Sequence, residues 1–326
     1  MLLQPLSLFC NAVIMSMEQT ELTQNAALYK FWERSTKHYQ LSGAGPADEW
    51  DELVFCLSQH GRGIGETLQY LYGLKPGFEA FMDWLRSAAQ LRQTELPVES
   101  LFTKEDLDFW DENGFIIVKN AVSKEQCIAA QNAIWQYLDA DILNPESWYR
   151  KHPGKNGMML DLFQHPALDA NRYSATIRKV YEELYKGTDI YLLIDKVSFN
   201  PPETDTFKFN GSRLHWDVSL QLPIPYVLQG LLYLNDVRAD EGAFHCVPGF
   251  HKKIGQWITD LPVDKNPRDA AIAELKPTPV SANAGDMIIW HQALPHCATP
   301  NVGALPRMVQ YITYKPVQKT EATIWI

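Results

Sequence analysis

The stretch RLHWDVSLQL, residues 213–222, decides how this sequence is interpreted. Apolar and polar side chains alternate along it, which is typical of a β-strand with one buried face. Because residues two apart in a strand point to the same side, His215 and Asp217 would project together from the polar face. Such a face either meets solvent or lines a site, and the alternation alone leaves both interpretations open.

Further short apolar segments lie around this stretch and are separated by turn residues. They are YLLIDKVSFN (191–200), VLQGLLYLND (227–236), GAFHCVPG (242–249), DMIIWHQ (286–292), PRMVQYITYK (306–315) and ATIWI (322–326). Several short strands without regular intervening helices predict an antiparallel sandwich or barrel rather than a nucleotide-binding α/β sheet. Residues 252–280 interrupt the pattern with several prolines, so we expect a rim insertion there with one short helix over 268–274.

The first part of the chain has a helical pattern instead. Residues 20–92 carry apolar side chains at three- and four-residue spacing, and Pro76 stands where a helix would begin. We therefore expect an N-terminal helical region at 1–98, its first 20 or so residues disordered or packed, followed by a β domain at 99–326. The glycine-rich run at 61–65 lacks the preceding strand and the lysine of a phosphate loop, which favours a turn between helices.

Helices are also expected at the start of the β domain. Thr103 is a good N-cap for a helix over 104–113, which would end at Gly114 before a strand at 115–119. Ser123 would cap a second helix that runs to about residue 140. A third helix is expected over 173–186. The fold class that follows is mainly β with helical additions.

Composition excludes several classes of function. The formal net charge of -10 and the pI near 5.4 disfavour nucleic acid and anionic membranes as partners. The five cysteines form no C-x-x-C pair, which is typical of a reducing compartment, and we expect a cytoplasmic protein. The apolar start of the chain has no Lys or Arg before Lys30, which argues against a signal peptide, and no run is long enough for a membrane span.

Four passages carry a resemblance to a known family. They are ENGFIIVKNAVSKEQC (112–127), LHWD (214–217), LYLNDVRADEGAFHCVPGFHK (232–252) and GDMIIWHQALPHCATPNVGALPR (285–307). In order and spacing, the chain from about Glu105 to Lys315 resembles the phytanoyl-CoA dioxygenase family of iron(II)- and 2-oxoglutarate-dependent oxygenases. The resemblance implies a double-stranded β-helix, which is a cupin-like jelly-roll of two sheets, with Fe(II) as the metal and 2-oxoglutarate and O₂ as cosubstrates.

The resemblance also implies a ligand set. His215, Asp217 and one later histidine would hold iron as a 2-His-1-carboxylate facial triad, which leaves coordination positions open. Both His291 and His296 lie in the distal passage. The family's ligand is the histidine eleven residues before the arginine, and His296 lies eleven residues before Arg307. We therefore expect His296 to be the ligand and His291 to line the pocket or orient a ligand.

Arg307 matches the family's anchor for the distal carboxylate of 2-oxoglutarate. A guanidinium suits this role because it forms a planar, bidentate fork with a carboxylate and stays charged when buried. Gln229, on a neighbouring strand, and Thr299, three residues after His296, are further candidates for cosubstrate contacts. For both of these residues ordinary solvent exposure is an equally good interpretation.

The activity implied is hydroxylation of an unactivated C–H bond, with release of succinate and CO₂. Desaturation, epoxidation or ring formation would need the same residues, whereas the retained carboxylate of Asp217 argues against halogenation. A non-catalytic jelly-roll and a metal-dependent isomerase or hydrolase are the other classes. A small metabolite or natural-product intermediate fits an acidic chain better than a coenzyme A thioester does. The helical region at 1–98 is a candidate for capping the barrel, for a homodimer contact or for binding a carrier.

Overall fold

The computed structural model describes residues 26–37, 47–87, 99–209 and 211–317. The chain divides into two compact units, Met1–Leu91 and Arg92–Ile326. The strand predicted at 322–326 and the state predicted for the first residues lie outside the described part of the chain. No helix in the described ranges is both long and apolar enough to cross a membrane.

The first unit is helical, as predicted. Its helices are α1 (residues 26–37), α2 (Ala47–Gln59), α3 (Ile64–Leu74) and α4 (Phe78–Arg86). Their apolar side chains form a core of their own, with Leu28, Leu57, Leu71, Phe81 and Leu85 among the most buried members. The glycine-rich run at 61–65 forms the turn between α2 and α3, and Gly61 has a positive φ of 62° that suits glycine.

The second unit contains antiparallel sheets. Its strands are β1 (Phe115–Val118), β2 (Lys155–Asn156), β3 (Met159–Leu160), β4 (Ile190–Leu193), β5 (Val197–Asn200), β6 (Leu228–Tyr233), β7 (Phe244–Cys246), β8 (Thr278–Val280), β9 (Met287–His291), β10 (His296–Ala298), β11 (Arg307–Tyr311) and β12 (Thr313–Pro316). The large sheet has the order β1-β9-β6-β11-β5-β3-β2, and a small sheet has the order β10-β7-β8, while β12 pairs with β4. This mainly β architecture with helical additions confirms the predicted fold class.

Alternate residues of the large sheet enter two different cores. On the inner face, Leu231, Ile288 and Val309 pack with side chains of the small sheet such as Phe244 and Cys246. On the outer face, strand residues pack against helices, and these strand residues include Leu232, Met287, Ile289 and Met308. Because side chains alternate along a strand, β1, β6, β9 and β11 each contribute to both cores.

The helical layer on the outer face is built from well-capped helices. They are α5 (Lys104–Asn113), α6 (Lys124–Leu138), α7 (Pro166–Arg172) and α8 (Ala175–Leu184). Thr103 and Ser123 each form a capping box, and Gly114 ends α5 with a φ of 72°, as their residue types predict. The single helix predicted over 173–186 is shorter than expected at its start, because Ser174 caps α8 and the chain before it forms α7.

A buried polar pair joins this helical layer to the large sheet. Gln310 of β11 is fully buried on the outer face, where it accepts a hydrogen bond from the Asn171 side chain at 2.9 Å. It also donates to the carbonyl oxygen of Leu168 at 2.8 Å. Because a shift of β11 by one residue would leave these buried groups unpaired, the pair fixes which face of β11 carries Arg307.

The stretch at 213–222 does not form the predicted strand. Its pairing is limited to an isolated bridge between His215 and His296. The carbonyl groups of Trp216 and Val218 instead accept hydrogen bonds from the Arg268 side chain, so no strand ladder continues past the bridge. The predicted alternation of burial holds as far as Val218, since Leu214, Trp216 and Val218 are buried while Asp217 is exposed. It ends there, because Ser219 is buried as well.

The insertion at 252–280 is more ordered than the sequence suggests. It contains two helices, α9 (Ile254–Asp260) and α10 (Pro267–Glu274), where only the second was predicted. Its last residues, Thr278–Val280, are strand β8 and pair with β7, so they belong to the small sheet rather than to the insertion. The extra helix is short and has no side-chain cap, so its sequence carries little helical signal.

The outer face of β6 leaves no room for a side chain at Gly230. A Cβ atom there would lie 2.3 Å from the Tyr181 hydroxyl and 2.7 Å from the backbone oxygen of Ile312. We expect Gly230→Ala to destabilise the protein by about 1–3 kcal/mol through overpacking. Gly255→Ala is the matched control, because nothing lies within 4 Å of that position in α9. It should be neutral or stabilising by up to about 1 kcal/mol, and equal urea midpoints for both variants would contradict this account.

Candidate metal centre

The backbone bridge between His215 and His296 brings distant parts of the chain together. The two residues exchange both backbone hydrogen bonds, at 3.0 and 2.9 Å, and their rings lie 4.6 Å apart between centroids. Asp217 follows His215 by two residues and projects to the same side. As a result, one potential ligand atom from each of His215, Asp217 and His296 lies within 4.8 Å of the others.

The two imidazoles present the same nitrogen to the carboxylate. Nε2 of His215 lies 3.4 Å from Oδ1 of Asp217, and Nε2 of His296 lies 3.2 Å from its Oδ2. Each Nδ1 contacts a backbone carbonyl oxygen, that of Arg213 at 2.8 Å or that of Leu294 at 3.2 Å. A carbonyl only accepts hydrogen bonds, so Nδ1 of each ring carries a proton. In the neutral ring Nε2 has the lone pair that a metal needs, and in the protonated ring Nε2 donates a hydrogen bond to Asp217.

This donor set fits a first-row divalent metal. Two imidazole nitrogens and one carboxylate are the ligands of the facial triad, and the carbonyls behind the rings fix the tautomer that a metal requires. Three protein ligands leave coordination positions open for other molecules. The set lacks the thiolates of a structural zinc site, because the nearby Cys246 and Cys297 are buried thiols that do not belong to the cluster.

Hydrogen bonds determine the charge of Asp217. Desolvation alone would raise the pKa of its carboxyl group, but hydrogen bonds from His215, His296 and Gln229 outweigh that effect and hold the pKa well below its ordinary value. The carboxylate in turn raises the pKa of His215 against the opposing effect of burial. The cluster therefore presents an ionised carboxylate, which is the form that binds a cation.

Gln229 lies beside the carboxylate. Its Nε2 donates to Oδ2 of Asp217 at 2.8 Å, and its Oε1 accepts from Nε1 of Trp290 at 3.1 Å. The indole therefore fixes the orientation of the amide, and the amide orients the carboxylate. Gln229 lines the cavity as predicted, but its amide is engaged with Asp217, and its predicted contact with the cosubstrate stays a prediction.

Trp216 anchors the segment between the first two ligands. Its ring is 1% exposed, and its Nε1 donates to the carbonyl oxygen of Ala293 at 2.9 Å, in the loop that leads to His296. The ring also packs near Phe250 and near Trp257 of α9. Trp216, which lies between the candidate ligands His215 and Asp217, is thus bonded to the loop that leads to His296.

Arg307 is a buried cation without a counter-ion among the described residues. Its side chain is 1% exposed, its Nε has no hydrogen-bond partner, and an Nη donates to the sulfur of Met158 at 3.9 Å. The guanidinium carbon lies 5.8 Å from the centre of the Tyr233 ring. Burying an unpaired charge is costly, so this arrangement is suited to an anion that enters from outside.

A single cavity of about 340 Å³ joins most of the predicted residues. It is lined by His215, Asp217, His296, Gln229 and Arg307 together with Met158, Asp195, Leu231, Phe244, Trp290, Tyr311 and Thr313. Thr299 does not line it and instead borders a neighbouring cleft. His291 also lies elsewhere, with its ring against Tyr226 and His251, which corrects its predicted pocket role. Its Nδ1 accepts from the backbone of Ala293 at 2.9 Å.

Asp195 is the cavity residue that the sequence pattern missed. It lies between β4 and β5, whereas the sequence predicts one continuous strand over 191–200. The pattern of that strand gave no sign that Asp195 would reach a cavity. Its carboxylate accepts a hydrogen bond from the backbone of Lys196 at 2.7 Å. Burial raises the pKa of this carboxyl group. Tyr311 could have been anticipated, because it lies four residues after Arg307 on the same face of β11.

Comparisons with known proteins agree with this geometry. The family model for phytanoyl-CoA dioxygenase matches residues 110–309. A Dictyostelium discoideum protein named for the phytanoyl-CoA dioxygenases is 21% identical in an alignment of length 266, with 64% of this chain and 74% of that protein covered.

Two solved structures are similar to this chain, and the similarity to the first supports the same kind of fold. EctD from S. alaskensis has a TM-score of 0.50 at 17% identity, with 72% of this chain and 85% of EctD covered. HygX from Streptomyces hygroscopicus, solved with nickel and 2-oxoglutarate bound, has a TM-score of 0.49 at 16% identity, with 68% and 89% covered.

The family match spans more than half of the chain. It includes all four motif passages, both ends of the His215 to His296 bridge, and Arg307. The chain belongs to the phytanoyl-CoA dioxygenase family of iron(II)- and 2-oxoglutarate-dependent oxygenases.

Proposed function

We propose that this protein hydroxylates an unactivated C–H bond of a small molecule, using O₂ and 2-oxoglutarate. One oxygen atom of O₂ would enter the product as a hydroxyl group and the other would enter succinate, with release of CO₂. The observation that carries the proposal is the unpaired, buried Arg307 in the same cavity as the His-Asp-His cluster. A metal site alone would not need a buried cation beside it.

In this proposal His215, Asp217 and His296 hold Fe(II). The bound ion would supply the activation of O₂ that no protein side chain provides. The residues of the chain supply the geometry. The carbonyl oxygens of Arg213 and Leu294 keep both Nε2 atoms available, and Gln229 keeps the carboxylate of Asp217 oriented.

Arg307 would bind the distal carboxylate of 2-oxoglutarate. The guanidinium lies in a buried part of the cavity wall, and a carboxylate would satisfy the Nε that has no partner. The cosubstrate carries a second carboxylate and a keto group at its other end, and these are suited to the open positions of the metal. Arg307 would thereby orient the cosubstrate towards the cluster as well as neutralise it.

The remaining cavity favours a small substrate. Its volume of about 340 Å³ lies at the lower end of the range for small-molecule sites, and 2-oxoglutarate would take part of it. Phe244, Leu231 and Trp290 provide apolar walls, while Asp195 and Tyr311 provide polar groups. A small metabolite or natural-product intermediate fits this space, and so does the reacting end of a longer molecule. Because Asp217 keeps its carboxylate at the cluster, we propose oxygen insertion rather than halogenation.

The proposal is tested by succinate release from purified protein with Fe(II), 2-oxoglutarate and O₂. We expect slow release without substrate, faster release with a matching metabolite, and a visible charge-transfer band when 2-oxoglutarate is added anaerobically. His296→Ala should abolish both signals. His245→Ala is the matched control, because His245 lies on β7 opposite Cys297 and outside the cluster. Absence of succinate and of the band would support a non-catalytic jelly-roll, and turnover without 2-oxoglutarate would support an isomerase or hydrolase.

Arg307 gives a second, quantitative test. We expect Arg307→Ala to raise the KM for 2-oxoglutarate about 100-fold, because it removes one partner of a buried charge pair. The metal affinity of Arg307→Ala, measured without 2-oxoglutarate, should equal that of wild type. Arg307→Lys should have a KM between those of wild type and Arg307→Ala, because lysine cannot form the bidentate fork. Arg238→Ala is the control, since Arg238 is exposed and pairs with Asp240 and Glu241. An unaltered KM in Arg307→Ala would contradict the anchor.

We also propose that residues 1–98 form a separate helical region used for association, in a protein that works in the cytoplasm. Large apolar side chains are exposed on this unit, including Leu74 at 71% and Tyr72 at 48%. We expect light scattering of the full-length protein to give the mass of a dimer, and Leu74→Glu to lower it to that of a monomer. A monomeric wild-type protein would rule out the homodimer and leave a carrier as the partner to test.

A further inference from the structure

Arg268, in the first turn of α10, holds the backbone on both sides of Asp217. One guanidinium nitrogen donates to the carbonyl oxygen of Trp216 at 2.8 Å, and the other Nη donates to that of Val218, also at 2.8 Å. The backbone bends at Asp217 and Val218, and the planar guanidinium reaches both carbonyl groups through its two Nη atoms. The peptide groups before and after the carboxylate ligand are thereby fixed by one side chain.

The segment needs this support because the sheet does not provide it. Regular pairing stops at the bridge between His215 and His296, and no strand binds the residues that follow. Without Arg268, the carbonyl groups of Trp216 and Val218 would lose the hydrogen bonds that this side chain donates to them. The carboxylate of Asp217 would then sit on a segment anchored at its start by the bridge and through the Trp216 ring, but with its own peptide groups free to rotate.

Arg268 is itself mounted rigidly. The side chain of Asn266 caps α10 by accepting from the backbone of Arg268 at 2.8 Å, and Pro267 occupies the first helical position. Ala270 and Ala271 are buried, and Ala271 belongs to the core between the two sheets. The guanidinium therefore extends from the start of a capped helix rather than from a loop.

The insertion also contacts this segment through its other helix, α9. The other contact of the insertion with this segment is apolar, since Trp257 of α9 packs its ring against Trp216. Both helices of the insertion thus contact the residues that carry the first two ligands.

We propose that Arg268 is a positioning residue for the metal centre, and that the insertion at 252–277 sets metal affinity through it. The inference rests on the proposed function, in which Asp217 is a metal ligand. It assigns the insertion a role in holding the carboxylate, where the sequence alone predicted a rim insertion with one short helix. Arg268 would touch neither the metal nor the substrate, and it would act only through the backbone of Asp217.

The test is metal affinity without any cosubstrate. Co(II) is titrated anaerobically into the metal-free wild-type protein and into Arg268→Ala, Arg268→Lys and Lys265→Ala, and its visible absorption is recorded. We expect Arg268→Ala to weaken Co(II) binding about 10- to 100-fold, the usual effect of removing a group that orients a ligand. Arg268→Lys should weaken it less, because an ammonium can hold only one of the carbonyls well. Lys265 is exposed in the same insertion, and Lys265→Ala should bind like wild type.

A purely structural role would give a different pattern. If Arg268 only stabilised the fold, Arg268→Ala would lower the melting temperature of the metal-free protein, and the folded fraction would bind Co(II) as wild type does. Positioning predicts a changed absorption spectrum of bound Co(II) at saturation, because the carboxylate would approach the metal differently. If Arg268→Ala does not fold, Arg268→Lys decides, and an affinity and spectrum equal to wild type would overturn the proposal. Wild-type protein that binds no Co(II) would instead overturn the proposed metal centre itself.

Discussion

The two backbone hydrogen bonds between His215 and His296 are the interaction on which the rest of the site depends. They are the only regular pairing that the first ligand segment makes in the described structure, and they join residues 81 positions apart in the chain. Strand β10, which begins at His296, pairs with β7, so the bridge is connected to the small sheet. The geometry of the candidate metal centre therefore depends on sheet pairing, because the bridge holds His215 beside His296.

Opposite charges are distributed along the cavity in a way that suits an anionic cosubstrate. The carboxylate of Asp217 is stabilised by donors from His215, His296 and Gln229, whereas the guanidinium of Arg307 lacks a carboxylate partner among the described residues. A dicarboxylate that bridges a metal and Arg307 would satisfy both ends. The protein as a whole is acidic, so this local cation is a feature of the site and not of the general surface.

Alternation and family motifs predicted the sheet-rich fold, and apolar residues at three- and four-residue spacing predicted the N-terminal helices. Both predictions are confirmed. The ligand set stays a prediction, although the structure brings its members together. Other features were not predictable because they depend on long-range contacts. The sequence at 213–222 alternates like a strand, yet the segment pairs at one residue. The carbonyl groups of Trp216 and Val218 accept hydrogen bonds from Arg268 instead of from a neighbouring strand. Thr299 and His291 have polar side chains of the predicted kind, but neither lines the cavity. Asp195 does line it, from a break between two strands.

The hydrogen bond between Gln310 and Asn171 has a consequence for the cavity on the opposite face of β11. Arg307 and Tyr311 line that cavity, while Gln310 is held in the helical layer by Asn171 and Leu168. A slip of β11 by one residue would put Met308 in the place of Arg307 and point Arg307 into the apolar helical layer. The direction of Arg307 thus depends on a polar contact that lies outside the cavity. Substitution of Asn171 or Gln310 would disturb the place of this cation while every residue that lines the cavity stayed the same.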